Sequence, residues 1–202
     1  MRGWITCVVL TLVMLSFAVA QQRGKVLMIV NEEQSADLEL MLTKEVGVMR
    51  DLVQKAGFQV VIATASNQPL VSGSAKLKPD LKLSDVKVAG YKGLIMPCMA
   101  TSDAPFPPEA LAIIKEAVAK KKPVAAQTGS VLQMARAGVL AGKKYAAPQG
   151  WPPMKGATYS GDGIVQDGKI VTSGICPYMA KSSRRPDGTS KLTEALIAEL
   201  KK

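Results

Sequence analysis

Pro123-Val124-Ala125-Ala126-Gln127-Thr128-Gly129-Ser130, followed at once by Val131-Leu132-Gln133-Met134-Ala135-Arg136-Ala137-Gly138-Val139-Leu140, is the stretch that decides the reading of this chain. A short apolar run ends in a polar, glycine-containing corner and passes directly into Val131, Leu132, Ala135 and Leu140 at helical spacing. That pattern is a buried strand turning sharply into a helix, the kind of corner at which many α/β enzymes hold a nucleophile. Here the corner residue reads as Gln127, whose amide offers neither a thiol nor a hydroxyl for attack.

Outward from this corner the chain alternates strands and helices. Lys25 to Val30 contains an unbroken apolar run of strand length, as expected of a strand covered on both faces. From Asp37 a helical pattern runs through Leu40, Leu42, Val46, Val48, Met49, Leu52 and Val53 and stops at Ala56-Gly57. Gln59 to Thr64 is a second strand, so the three segments predict a βαβ unit and a parallel sheet. Residues 66 to 90 are punctuated by Pro69, Gly73, Pro79 and Gly90 and read as an excursion with one short strand or hairpin. Leu94 to Pro97 is a third core strand, Cys98 to Asp103 the loop at its end, and Glu109 to Lys121 a helix entered through Pro107-Pro108. Gly142 to Ala146 reads as a short strand, Asp167-Gly168 as a hairpin turn, Ser173 to Arg185 as a long loop, and Leu192 to Leu200 as a closing amphipathic helix.

The first twenty residues read as a signal peptide, with Arg2 as the positive end, Ile5 to Val19 as the apolar core and Ala18-Val19-Ala20 as the cleavage site. The expectation is an exported protein, periplasmic or secreted, whose residues 21–202 form one domain. Loss of Arg2 takes the net charge from +10 to +9. The basic residues are scattered, with short clusters at Lys120 to Lys122, Lys143-Lys144 and Arg184-Arg185. They predict a solvated surface with at most weak attraction to anionic surfaces and no specific nucleic-acid binding.

The chain contains no histidine. Ser-His-Asp and Cys-His catalysis, imidazole base chemistry and histidine-containing zinc sites are therefore outside its own means, and neither a metal nor a cofactor is expected. Cys7 falls in the signal segment, leaving Cys98 and Cys176. Three states are open to them: a disulfide, which export favours, a relocated reactive thiol, or two inert small residues.

Four segments together carry a resemblance: Gly24 to Val30, Tyr91 to Pro97, Pro123 to Lys143, and Val165 to Ser173. In that order they resemble the ThiJ/PfpI family, also called the DJ-one/PfpI superfamily, of class I glutamine-amidotransferase-like fold. The resemblance implies an α/β, flavodoxin-like three-layer sandwich with a mostly parallel central sheet, and a homodimer. The family's elbow reads Ala-x-Cys-x-Gly, and Ala125-Ala126-Gln127-Thr128-Gly129 lies on it with Gln127 at the cysteine position. Glu45, twelve residues before Gly57, stands where the family keeps the carboxyl that hydrogen-bonds its thiol, and here it is expected to meet the Gln127 amide. Where the family has Pro-Gly-Gly beside its oxyanion site this chain has Pro97-Cys98-Met99, a change that keeps the backbone N–H groups. Cys176-Pro177 falls on the late loop that borders the same pocket.

The pocket residues implied are thus Glu45, Cys98, Met99, Gln127, Thr128, Cys176 and Pro177. Thr128 as a substitute nucleophile lacks a histidine to activate it. Trp151, among Pro152, Pro153 and Met154, reads either as an apolar lip or as a loop folded on its own core. The leading functional expectation is a non-catalytic protein that binds a small molecule or a protein partner in the inherited pocket. The alternative is a cysteine-dependent hydrolase, deglycase or glyoxalase-like enzyme using Cys98 or Cys176 with Glu45. A third class is an envelope-surface protein that exploits the positive charge.

Overall fold

Alternation along the first strand, β1 (Lys25–Ile29), sends Val26 and Met28 to one side of the sheet and Leu27 and Ile29 to the other. Both faces are apolar, so both must be covered. The computed structural model describes residues 22–101 and 106–202. Its other strands are β2 (Gln59–Thr64), β3 (Leu70–Ser72), β4 (Ala75–Leu77), β5 (Leu81–Lys82), β6 (Gly93–Met96), β7 (Val124–Gln127), β8 (Lys144–Tyr145), β9 (Thr158–Tyr159), β10 (Ile164–Asp167) and β11 (Ile170–Ser173). Seven of them form one sheet in the order β10-β11-β7-β6-β1-β2-β5. Every pairing in it is parallel except the edge hairpin of β10 with β11. This is the mostly parallel, flavodoxin-like α/β sheet that the sequence predicts.

One face is covered by a long helical rod and by the last helix. The rod runs through α1 (Leu38–Leu40), a π-helical stretch (Met41–Val46) and α2 (Gly47–Lys55). Its Met41, Val46, Met49 and Val53 pack with Val26, Met28 and Ala125 and with Leu192 and Leu196 of α6 (Thr189–Leu200). The opposite face, built on Leu27, Ile29, Leu94, Val124 and Ala126, is covered by α3 (Pro108–Ala119) and α4 (Gly129–Arg136). Leu192 and Leu196 are fully buried, and each such side chain contributes about 1.5–3 kcal/mol on leaving water.

Local chemistry fixes the ends of these elements. Asp37 caps the rod by accepting the Leu40 N–H at 3.2 Å, and Gly57 follows its last turn at φ +91°. Pro108 opens α3, where its missing N–H costs nothing.

The structure corrects the sequence reading in several places. The span read as a long loop, Ser173 to Arg185, contains a further helix, α5 (Pro177–Ser183), with Pro177 in its first turn and Arg184 in left-handed conformation behind it. The excursion at 66 to 90 holds a β3–β4 hairpin and, separately, β5 on the sheet edge. The β10–β11 loop is Gly168-Lys169, one residue later than expected. The helix after β1 is interrupted by a π-helical stretch, which hydrophobic periodicity does not announce. The signal segment 1–20 and the loop residues Ser102 and Asp103 lie outside the described residues. No helix among the described residues is long and apolar enough to cross a membrane.

Candidate functional site

Four connections leave the carboxyl ends of parallel strands on one side of the sheet: those after β1, β6, β7 and β11. Their convergence is the usual ligand crevice of an open parallel sheet. Gln34 and Ser35 after β1, Cys98 and Thr101 after β6, Thr128 after β7 and Cys176 after β11 all line a cavity of about 580 Å³ there. Leu132 from α4, Trp151, and Tyr178 and Met179 from α5 add apolar walls. Trp151 is therefore part of the cavity rim.

The strained residue of the β7-to-α4 turn is Thr128, at φ +45° and ψ −103°. A threonine in this region costs on the order of 1–3 kcal/mol and persists only where its surroundings hold it. The backbone thus places the elbow at Thr128, one residue after the position assigned from the sequence. Gln127 is still the last residue of β7, paired with Ser173. Strand alternation sends its side chain away from α4, to the same side as Ala125. There its amide N–H donates to the Ile175 carbonyl at 2.8 Å and to Asp187 Oδ1 at 3.3 Å, while Thr189 Oγ1 donates to its Oε1 at 3.2 Å. Gln127 is a completely buried tie between β7, the β11 loop and α6, and the expected contact with Glu45 is not made.

Glu45 projects from the π-helical stretch and is completely buried. Its Oε1 accepts the Cys98 N–H at 2.8 Å and its Oε2 the Met99 N–H at 2.9 Å. Burial raises its pKa well above the usual value, the neighbouring Cys176 adds to the rise, and the two N–H groups oppose it. The Cys98 and Met99 N–H groups are thus taken by a carboxyl, which leaves these two unable to serve an oxyanion.

Met99 and Ala100 both have positive φ, 60° and 47°. Two carbonyls of this loop are tied to the connection after β1: Ser35 Oγ donates to the Met99 carbonyl at 2.6 Å, and the Ala36 N–H to the Ala100 carbonyl at 3.0 Å. The Met99 side chain is fully buried in the core beneath the helical rod. Met99 and Pro177 therefore support the cavity from behind and do not line it.

Cys98 and Cys176 are both buried and both free thiols, in place of the disulfide that export favours. They are nonetheless neighbours: the Cys98 S–H donates to the Cys176 sulfur. That bond is the largest of the influences holding the Cys176 thiol down to about 7. Burial works against it, and the Met179 N–H, the Thr128 hydroxyl and the Tyr178 N–H reinforce it. Cys98, as donor, is raised well above the ordinary thiol value, first by the same bond and then by burial and by Glu45. Among the described residues the Thr128 hydroxyl has no nitrogen or oxygen partner at normal geometry, and the group it faces is the soft Cys176 sulfur. Glycine is required nearby: a Cβ on Gly174 would lie 2.6 Å from the Ala147 carbonyl and 2.8 Å from that of Asp162, so the Cys176 loop passes where no side chain fits.

Residues 24–181 match the family model of the DJ-1/PfpI family. The chain belongs to the DJ-1/PfpI family. Solved structures agree on the fold. A ThiJ/PfpI domain protein from Brachyspira murdochii superposes with a TM-score of 0.67 at 16% identity, over 88% of this chain and 96% of that one. DJ-1beta of Drosophila melanogaster gives 0.63 at 19%, over 88% and 90%. A DJ-1 superfamily protein from Agrobacterium tumefaciens gives 0.63 at 17%, over 87% and 89%. No curated protein matches the chain. Within this DJ-1/PfpI frame, neither Gln127 nor the elbow residue Thr128 is a cysteine, and both cysteines stand on other loops of the same cavity. Among the described residues no group of three or more histidine, cysteine or acidic side chains could hold a metal ion.

Proposed function

We propose that this chain is an exported, single-domain DJ-1/PfpI protein that binds a small molecule in the cavity above Thr128 and performs no nucleophilic chemistry at the elbow. One observation carries the reading: a cavity of about 580 Å³, of small-ligand size, opens over an elbow whose hydroxyl has no base to activate it. The occupation of the Cys98 and Met99 N–H groups by Glu45 supports it, because a tetrahedral intermediate needs such donors free. The walls of Leu132, Trp151 and Met179 suit a compact apolar body, and Ser35 and Thr101 at the rim suit a polar end. In this reading residues 1–20 are removed on export and the protein is periplasmic or secreted, with a homodimer as its assembly.

Without residues 1–20, Trp151 is the chain's one tryptophan, and it stands in the cavity wall. Titration with 8-anilinonaphthalene-1-sulfonate should therefore quench Trp151 emission through energy transfer at one dye per chain. Ala36→Trp, which fills the cavity, should abolish dye binding; saturation that survives this substitution would sink the reading.

The cysteine-dependent alternative is favoured by one observation, the Cys176 thiol held down to about 7 inside the cavity. Consumption of methylglyoxal or cleavage of a peptide substrate, lost on Cys176→Ser, would establish it in place of the binding reading.

A further inference from the structure

The cavity's most reactive feature is a pair of sulfurs, not a single one. Cys98 lies on the loop after β6 and Cys176 on the loop after β11; they are 78 positions apart in sequence and hydrogen-bonded in space. Both belong to the same buried cluster and both border the cavity, Cys98 5% exposed and Cys176 covered, so a small solute inside it lies beside the pair and meets the Cys176 sulfur once the wall over it shifts. The pair is unsymmetrical, with Cys98 donating and Cys176 accepting. Thr128, 2% exposed, carries a hydroxyl with no nitrogen or oxygen partner among the described residues, and it faces the accepting sulfur from the elbow. Among the described residues no lysine or arginine lines the cavity, and the donors that stabilise a Cys176 thiolate are neutral.

We propose that Cys98 and Cys176 form a two-thiol oxidation site for a small hydroperoxide, in which Cys176 is oxidised first and Cys98 resolves it to a disulfide. The Cys176 thiolate attacks the nearer peroxide oxygen; the S–O bond forms as the O–O bond breaks, giving a sulfenic acid. The departing hydroxide, or alkoxide, takes the Cys98 proton and leaves as water or alcohol. The Cys98 thiolate then attacks the Cys176 sulfur, the S–S bond forms, and the sulfenic oxygen departs as hydroxide that a solvent proton turns into water. Two thiols lose two electrons and one peroxide gains them; hydrogen peroxide yields two waters. The Thr128 hydroxyl gives its one hydrogen to the Cys176 thiolate and so positions it for attack. The adjacent thiol makes the sulfenic acid short-lived, since the resolving sulfur is already in contact.

This inference goes beyond ligand binding and needs only that a peroxide enter the cavity. Its test uses the full chain without residues 1–20, reduced and freed of reductant, then given one equivalent of hydrogen peroxide. Intact mass should fall by two hydrogens, free thiols should drop from two to none, and a peptide map should show Cys98 joined to Cys176 within one chain. Dithiothreitol should restore both thiols. In the Cys98→Ser variant dimedone should label Cys176, and Cys176→Ser should lose peroxide about tenfold or more slowly than the unsubstituted chain. Retention of both thiols, a disulfide between chains, or dimedone labelling of Cys98 in the unsubstituted chain would overturn the proposal. The peptide map needs no variant, so a substitution that fails to fold leaves the test intact. Dye binding by the reduced chain reports separately on the small-molecule reading.

Discussion

The carboxyl of Glu45 accepts the backbone N–H of Cys98 at 2.8 Å, and through its other oxygen it also holds the next residue of the same loop. An acid buried in the helical rod therefore shapes the cavity wall from behind. Glu45→Gln keeps the size but leaves only one acceptor for two N–H groups, so one of them faces an NH2. The expected cost is about 1–3 kcal/mol in urea unfolding.

The same residue sets a pH dependence. Its folded pKa lies above the ordinary value, so between the two the folded chain binds a proton that the unfolded chain has released. Stability contributed by Glu45 therefore falls as pH rises through that window. Asp37, Asp167 and Glu199 are lowered and act in the opposite sense at more acidic pH. Unfolding free energies at roughly pH 5 to 6.5 should fall more steeply with pH in the unsubstituted chain than in Glu45→Gln. Equal slopes would contradict a buried, proton-retaining carboxyl.

The elbow assignment is open to direct chemical test. In a background of Cys98→Ser and Cys176→Ser, Thr128→Cys places a thiol in the cavity, whereas Gln127→Cys places it among Ile175, Asp187 and Thr189. Iodoacetamide at neutral pH should modify the first at least about tenfold faster than the second. The reverse order would return the elbow to Gln127.

Two neighbouring residues with the same backbone strain should respond oppositely to glycine. Ala100→Gly relieves a left-handed residue, worth about 1–2 kcal/mol, against roughly 0.5–1 kcal/mol of added chain entropy; a small net stabilisation is expected. Met99→Gly gains the same relief but deletes a fully buried side chain, which costs about 2–5 kcal/mol. Net destabilisation is expected there, and thermal unfolding of the two variants gives both signs.

Cys176 should behave as an acidic thiol. Its alkylation rate is expected to rise with a midpoint near the value of about 7 that its neighbours impose. Cys98→Ala removes the main donor and should move that midpoint upward, toward the ordinary thiol range. An unchanged midpoint would mean that the two sulfurs do not communicate.

Much of the sheet could be read from the chain alone, because the runs at 25–30, 59–64 and 94–97 are continuous and apolar, as parallel strands buried on both faces must be. The helix α5 was not legible: seven residues carrying Lys181, Ser182 and Ser183 bury too little to leave a periodic pattern, and only Pro177 signals its start. Gln127 was misplaced although the information was present. The motif Ala-x-Cys-x-Gly put it at the corner, whereas the two-residue period that sends Val124 and Ala126 to the α4 side puts Ala125 and Gln127 on the other. Ser35, Thr101 and Tyr178 carry no local signal, being ordinary loop and helix residues that face a cavity only once four connections converge.

The sequence by itself determined the family, the parallel sheet, the want of any histidine base and the presence of two cysteines away from the elbow motif. Those properties depend on residue type and on periodicities of a few residues. Only the tertiary structure decided which residue bears the elbow strain, that Glu45 turns to the Cys98 and Met99 amides, and that Cys98 and Cys176 touch. Each of those depends on where separate strands end relative to one another in the sheet, and strand register is fixed by packing across the whole core.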